Sequence, residues 1–289
     1  MQAIRGDLQG RVCMVTGATS GIGRAAARAL AGLGAELVLL GRDRGRGEET
    51  ARWIQRETGN TKVDLLLADL SSQAEVSRAA REFLAAGRPL HVLLNNAGVI
   101  LRRRSETVDG IESTFAVNHL AYFLLTNLLL ERLKQSEPAR VVNVASGAHR
   151  MARGGIRFDD PGFRDGYSAM RVYGHSKLAN ILFTRELARR LEGTRVTANC
   201  IHPGFVASNF AKNNGPLEAL LMTLGRPFAR SPERGADTAV WLCASPEVEG
   251  RSGGYWFDRR ESRPSAAGSN DEDARRLWDL SARMTGLGD

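Results

Sequence analysis

Short β-branched or leucine-rich runs alternate with longer amphipathic stretches along most of the chain. The run VCMVT at 12–16 predicts a strand, GIGRAAARALAGLG at 21–34 a helix closed by Gly34, and ELVLLG at 36–41 a second strand. Further pairs follow: a helix near 44–58, a strand near 63–67, a helix near 72–86, a strand at 91–95, a long helix near 107–134, a strand at 140–145, a helix near 170–192 and a strand at 195–201. Strands that are apolar on both faces and regularly alternate with helices predict an α/β fold, a parallel sheet covered on both sides by right-handed crossovers.

Two stretches break the pattern. Residues 147–170 carry Gly154, Gly155, Pro161, Gly162 and Gly166 without a clean period. Residues 203–231 are apolar but broken by Pro203, Pro216 and Pro227 around a candidate short helix at 217–224. Loops of this length are often lids, and a substrate lid is expected at about 203–231. From about 258 a peripheral extension is expected, a polar stretch and then a last helix near 272–284. No Gly/Ser/Pro-rich linker and no solenoid repeat divides the chain, so residues 1–289 are expected to form one domain.

Composition narrows the classes. A chain of 289 residues, 43% hydrophobic and 25% charged, buries a substantial core, which excludes disordered and fibrous classes. No run approaches the roughly 18 apolar residues of a membrane helix, and no signal-peptide core precedes the first strand. A cytoplasmic protein without an integral membrane segment is expected. Cys13, Cys200 and Cys243 are too few and too far apart for a disulfide framework or a zinc cluster, and are expected as reduced core thiols. The net charge of +8 raises nucleic-acid binding, but the arginines are scattered and locally paired with acids, and Arg102, Arg103 and Arg104 have no interleaved aromatics. No nucleic-acid partner is expected.

Candidate chemistry begins at the first strand-to-helix turn, TGATSGIG at 16–23. Gly17 permits a sharp turn, Gly21 lets a pyrophosphate approach the backbone, and Gly23 lets the helix pack closely, while the helix N-terminus offers N–H donors to phosphate. The spacing departs from the common Gly-x-Gly-x2-Gly fingerprint, and tight turns alone could explain the glycines. At the end of the second strand, where an acid would bind the ribose of NAD, stand Gly41 and Arg42. Arg42, with Arg46 a turn further on, can neutralise a 2′-phosphate and favours NADP(H) over NAD(H); the alternatives are that Asp43 takes the ribose or that Arg42 is an ordinary loop arginine. Asn95 and Asn96 end a strand and could simply satisfy backbone groups. Asn118 lies among apolar neighbours and either props a helix irregularity or holds a water. Ser146 ends another strand, and Tyr173 and Lys177, four apart, share a helix face. An ammonium beside a phenol lowers the phenol's pKa, so Tyr173 is a candidate acid/base. His149 and His202 flank these positions, read as hydrogen-bonded structural residues since no metal spacing accompanies them, and no metal is expected.

The order TGATSGIG, Asp69, NNAG at 95–98, Asn118, Ser146, Tyr173-x3-Lys177 and Pro203-Gly204 resembles the signature of the short-chain dehydrogenase/reductase family, over about residues 8–257. The resemblance implies a single-domain Rossmann-type doubly wound sheet, a homodimer or homotetramer, in which Tyr173 is the acid/base, Lys177 binds the nicotinamide ribose and lowers the tyrosine pKa, Ser146 orients the substrate oxygen and Asn118 holds a relay water. It further implies cofactor contacts from Gly17, Thr19, Ser20, Gly21, Ile22 and Gly23, from Asp69 and Leu70 at the adenine, from Asn95 at the adenosine ribose with Ala97 and Gly98, and from Pro203, Gly204, Val206 and Ser208, the last at the carboxamide.

The stretches at 118–133, 173–191 and 271–281, and the 27 positions from Ser146 to Tyr173, resemble that family's retinol dehydrogenase-like branch. The expectation is an NADP(H)-dependent alcohol dehydrogenase/carbonyl reductase acting on a largely apolar aldehyde, ketone or alcohol. Phe205, Phe210, Leu217, Leu220, Leu221, Met222, Leu224 and Phe228, joined by Met151, Phe158 and Phe163, offer wall material, or else are core or an oligomer contact. The rival functions are a nonenzymatic NADP-binding redox sensor and an internal-redox lyase or epimerase on the same fold.

Overall fold

The computed structural model describes residues 4–206 and 229–287. Seven strands lie parallel, β1 (Val12–Thr16), β2 (Glu36–Gly41), β3 (Val63–Leu67), β4 (Val92–Asn95), β5 (Ala139–Val144), β6 (Val196–Ile201) and β7 (Tyr255–Phe257), and β8 (Arg260–Ser262) closes one edge antiparallel. Their spatial order is β3-β2-β1-β4-β5-β6-β7-β8. The order reverses between β1 and β4, and open α/β sheets bind ligands in the crevice beyond the strand ends at such a point.

Because side chains alternate across a strand, β1 to β6 each feed two cores. Cys13, Val15, Leu37, Leu39 and Val142 face α1 (Gly21–Gly32) and α8 (Pro232–Ala244), whereas Met14, Val38, Leu40, Leu93 and Val141 face α3 (Gln73–Ala85) and α7 (Ala169–Arg190). All ten are at most 3% exposed, so each large aliphatic side chain contributes on the order of 1.5–3 kcal/mol by leaving water. The three cysteines are free and buried, as expected from sequence.

Most elements fall where periodicity places them, with α2 at Arg44–Thr58. The long helix expected near 107–134 does not form as one piece. Residues 107–110 make a turn at Gly110 (φ 72°), and the Glu112 carboxylate then caps a new start by accepting from Thr114 N (2.9 Å) and Phe115 N (2.7 Å). From there run α4 (Ser113–Phe115), a π-helical turn (Ala116–Leu120), α5 (Ala121–Leu128) and α6 (Leu130–Gln135). Helix α8 was not foreseen, although Ser231, Pro232 and Glu233 form a helix-start signal: the Ser231 hydroxyl accepts from Arg234 N at 3.2 Å, and proline occupies the first turn.

The extension after β8 ends in α9 (Asp271–Met284), amphipathic and laid over α5 and α7. Trp278 meets Phe123 at 4.9 Å and Phe183 at 5.8 Å. Among the described residues, no helix is long and apolar enough to cross a membrane.

Candidate active site

The two loops at the switch point are fastened to each other. The chain leaves β1 at Gly17 (φ 65°), where an added Cβ would lie 2.8 Å from Ala97 Cα, and a Cβ at Gly23 would strike Gly17 O. Asn96 Nδ2 donates to Thr16 O at 2.9 Å, while Thr16 Oγ1 accepts from Asn96 N (2.9 Å) and Ala97 N (3.0 Å). Beyond Gly98, Val99 N donates to Asn118 Oδ1 at 2.7 Å. At the start of α1 the Ser20 side chain makes no capping bond and the first turn holds no acid, so the N-terminal N–H groups suit an anion. This cradle fits a dinucleotide pyrophosphate. Thr19 adjoins Gly41, and Ile22 and Val206 meet over Gly235 of α8, which brings the loop after β6 to the start of α1. Gly204 has φ 81°, and a Cβ there would strike Arg230.

At the end of β2, Arg42 is exposed and its Nη1 lies 3.8 Å from Asp69 Oδ2. Asp69 Oδ1 accepts from Ser71 N (2.9 Å) and Ser71 Oγ (2.8 Å). Asp43 caps α2 by accepting from Arg46 N at 2.9 Å, so its carboxylate already has a structural partner. Arg46 is exposed beside it. Leu70 packs against the sheet's second core.

Asn95, expected near the adenosine ribose, ends β4 with its side chain turned inward. Its side chain is fully buried, with Nδ2 donating to Thr126 Oγ1 (3.0 Å) and Asn143 Oδ1 (2.9 Å), and Asn143 Nδ2 in turn donates to Thr184 Oγ1 (3.0 Å). This polar ladder stitches β4 and β5 to the helices above them; burial rules the side chain out as an open ribose contact.

Ser146, Tyr173 and Lys177 converge at the ends of β5 and β6. Ser146 caps a 3₁₀ turn (Gly147–Met151), its hydroxyl accepting from Ala148 N at 3.1 Å and hydrogen-bonding the Tyr173 phenol. Lys177 is 2% exposed, donates from Nζ to Val144 O at 3.0 Å and lies 5.6 Å from the Tyr173 ring centroid. Burial pushes the ammonium down to about 7 and the phenol up to about 12, against which the Ser146 hydrogen bond acts. Burial is thus the dominant influence on the phenol in the chain by itself, and Lys177 is not among the groups that shift it. A lysine whose own charge is disfavoured and whose Nζ is turned to a carbonyl gives the phenolate little support.

Asn118 joins the group from the π turn. Its Nδ2 donates to Val99 O (2.9 Å) and Ser176 Oγ (3.0 Å). The helix-irregularity reading thus has a physical basis: the side chain ties the π turn to the loop after β4 and to α7.

The histidines are braces. His202 Nδ1 accepts from Gly147 N (3.0 Å) and Gly204 N (3.3 Å), and its ring stacks on Phe257 at 4.9 Å. His149 Nδ1 lies 2.7 Å from Ser146 O, and its Nε2 accepts from Ser265 N at 3.0 Å, which ties the C-terminal extension to the serine turn. Of the expected wall residues, Phe163 is 3% exposed and belongs to the interior, whereas half-buried Phe158 packs at the edge of a core cluster beneath Arg276 of α9. Met151 and Phe205 are 47% and 56% exposed. Ser208, Phe210, Leu217, Leu220, Leu221, Met222, Leu224 and Phe228 lie outside the described residues. Among the described residues, no cluster of three or more His, Cys, Asp or Glu side chains is placed to hold a metal.

Comparison with known proteins agrees with this architecture. The family model for short chain dehydrogenases matches residues 11–158 and 161–218. Retinol dehydrogenase 12 of Mus musculus is 45% identical over 281 residues, which cover 97% of this chain and 88% of that protein. A crystal structure of an uncharacterized protein from Mycobacterium paratuberculosis superposes with a TM-score of 0.78 at 32% identity, over 97% of this chain and 95% of that one. The Pseudomonas aeruginosa RhlG/NADP active-site complex superposes with a TM-score of 0.69 at 29% identity, over 88% and 96%.

Proposed function

The chain belongs to the short-chain dehydrogenase/reductase family, and on that premise we propose that it moves a hydride between NADP(H) and the carbonyl/alcohol pair of a largely apolar small molecule. The observation that carries this reading is the Tyr173 phenol, hydrogen-bonded to Ser146 and backed by Lys177, at the strand ends beside a glycine cradle that fits a pyrophosphate.

The nicotinamide supplies and accepts the hydride when bound. Tyr173 moves the matching proton at its phenolic oxygen, and Ser146 Oγ holds the substrate oxygen within reach of it. With its pKa near 12 the phenol keeps its proton at neutral pH, the state needed to protonate the oxygen of a carbonyl under reduction. In this reading Lys177, held at Val144 O and 5.6 Å from the Tyr173 ring centroid, is the residue that would bind a ribose hydroxyl of the cofactor.

NADP(H) preference rests on exposed Arg42 at the end of β2 and on the capping role of Asp43, which engages the nearest acid elsewhere. A 2′-phosphate would replace the long Arg42–Asp69 contact with a charge-assisted bond. An apolar substrate is supported by Met151, by Met170, which is 44% exposed and one turn before Tyr173, and by Phe205 after the Pro203-Gly204 corner. The test is oxidation of NADPH and of NADH against a panel of apolar aldehydes, cyclic ketones and polyene aldehydes. Turnover with NADPH preferred supports the proposal; tight coenzyme binding with no turnover on any carbonyl defeats it in favour of a sensor.

A further inference from the structure

Lys177 is held from beneath by groups that no catalytic role accounts for. One turn along α7 the Asn180 side chain, fully buried, donates from Nδ2 to Asn118 O at 2.9 Å and to Val144 O at 3.3 Å, the same carbonyl that receives Lys177 Nζ at 3.0 Å. The Asn118 carbonyl belongs to the π turn, where the Ala121 N–H reaches back five residues to Ala116 O. Asn180 therefore joins α7, β5 and the π turn directly below the ammonium.

The orientation of that amide fixes a longer chain of bonds. Carbonyl oxygens only accept, so the nitrogen end of Asn180 must face them and Oδ1 must face His119. His119 Nδ1 lies 3.3 Å from Asn180 Oδ1 and must carry the ring proton; its Nε2 is then bare and accepts from Ser281 Oγ at 2.8 Å. His119 and Ser281 are both fully buried, and Ser281 sits on α9. The other titratable groups around Lys177 are Tyr173 on its own helix and Tyr122 of α5, whose ring centroid is 5.6 Å from Nζ and whose hydroxyl donates to Ala97 O at 2.7 Å.

We infer that Asn180 is a positioning residue for Lys177, and that its amide is set through His119 by Ser281, so the C-terminal helix helps to hold the catalytic lysine in place. The inference rests on the reductase reading for its kinetic consequence, but not for its structural one. Without the Asn180 donor, Asn118 O loses that bond and Val144 O loses the donor it shares with the ammonium. Both oxygens then draw Nζ down, away from Tyr173, and favour its charged form.

Two readouts test this. Turnover is measured with the wild-type holoenzyme and an apolar aldehyde, and Lys177 is titrated by NMR of carbon-labelled lysine, a spectrum of only four lysines in which Lys177→Met identifies the signal. Asn180→Leu should lower kcat at least tenfold with KM for the aldehyde near wild type, and raise the Lys177 midpoint by about one unit. Ser281→Ala should move both in the same direction by less, and Ser281→Thr, which restores the hydroxyl, should return them. A Lys177 midpoint unmoved in Asn180→Leu overturns the inference. Should that variant not fold, Ser281→Ala and Ser281→Thr decide it: identical titrations for both and for wild type overturn the coupling. Absence of Tyr173-dependent turnover in the wild type would instead defeat the reductase reading, while the titration would still decide the role of Asn180.

Discussion

His202 Nδ1 accepts the backbone N–H of Gly147 at 3.0 Å, so one imidazole clamps the turn that carries Ser146 to the loop that carries Pro203 and Gly204. The ring accepts at Nδ1 and cannot do so when protonated. The same holds for the Nε2 atoms of His149 and His175, which accept from Ser265 N and Arg157 N at 3.0 Å each.

Acid should therefore loosen the site before it unfolds the sheet. Burial lowers all five histidines, His119 to about 3 and His175 and His202 to about 4. The folded chain binds these protons more weakly than the unfolded chain, so this stability is complete above about pH 6.5 and is lost as pH falls towards 4. The fully buried pair His119 and His175 should each contribute a slope of about 1.4 kcal/mol per pH unit below that point. Urea unfolding at pH 7, 6 and 5 measures it, and a flat midpoint over that range would contradict the role given to the rings.

Gly23→Ala tests the cradle. The new methyl would strike Gly17 O and Asn96 Nδ2, so the glycine turn and the loop after β4 must part. A loss of about 1–3 kcal/mol in stability is expected, as for other overpacked sites, together with at least tenfold weaker NADPH binding followed by fluorescence. Unchanged affinity would place the pyrophosphate elsewhere.

Arg42 and Asp43 should separate cleanly. Arg42→Asp should turn the ratio of NADPH to NADH affinity towards NADH by about tenfold or more, the loss of one charge-assisted phosphate contact. Asp43→Ala should leave that ratio alone and cost about 1 kcal/mol as a lost helix cap. Titrating both coenzymes against both variants checks this; a ratio that follows Asp43 rather than Arg42 would assign the ribose to the acid.

Much of this was legible in the chain. The positions of β1 to β6 could be read because their side chains are mostly apolar, whereas polar β8 carries no such signal; Gly17 packs against Gly23, and Ser146, Tyr173 and Lys177 meet at the ends of β5 and β6. The broken helix after residue 106 was not, because Phe115, Leu120, Phe123 and Leu124 are buried whether the turn between them is α or π. Asp109-Gly110 ahead of that apolar run and the polar pair Asn118 and His119 within it are its traces. The state of Tyr173 was not legible either: a Tyr-Lys pair at i, i+4 shows proximity, whereas the pKa depends on how deeply both groups are buried.

The central claim is that the Tyr173 phenol supplies the proton for carbonyl reduction. It is tested most directly by initial rates of NADPH oxidation with an apolar aldehyde for wild type and Tyr173→Phe, with NADPH affinity measured on the same samples. The account predicts equal affinity and a rate reduced at least a hundredfold in the variant, the range of a lost general acid. Equal affinity with substantial residual reduction would contradict it, and would place the proton donor on another group.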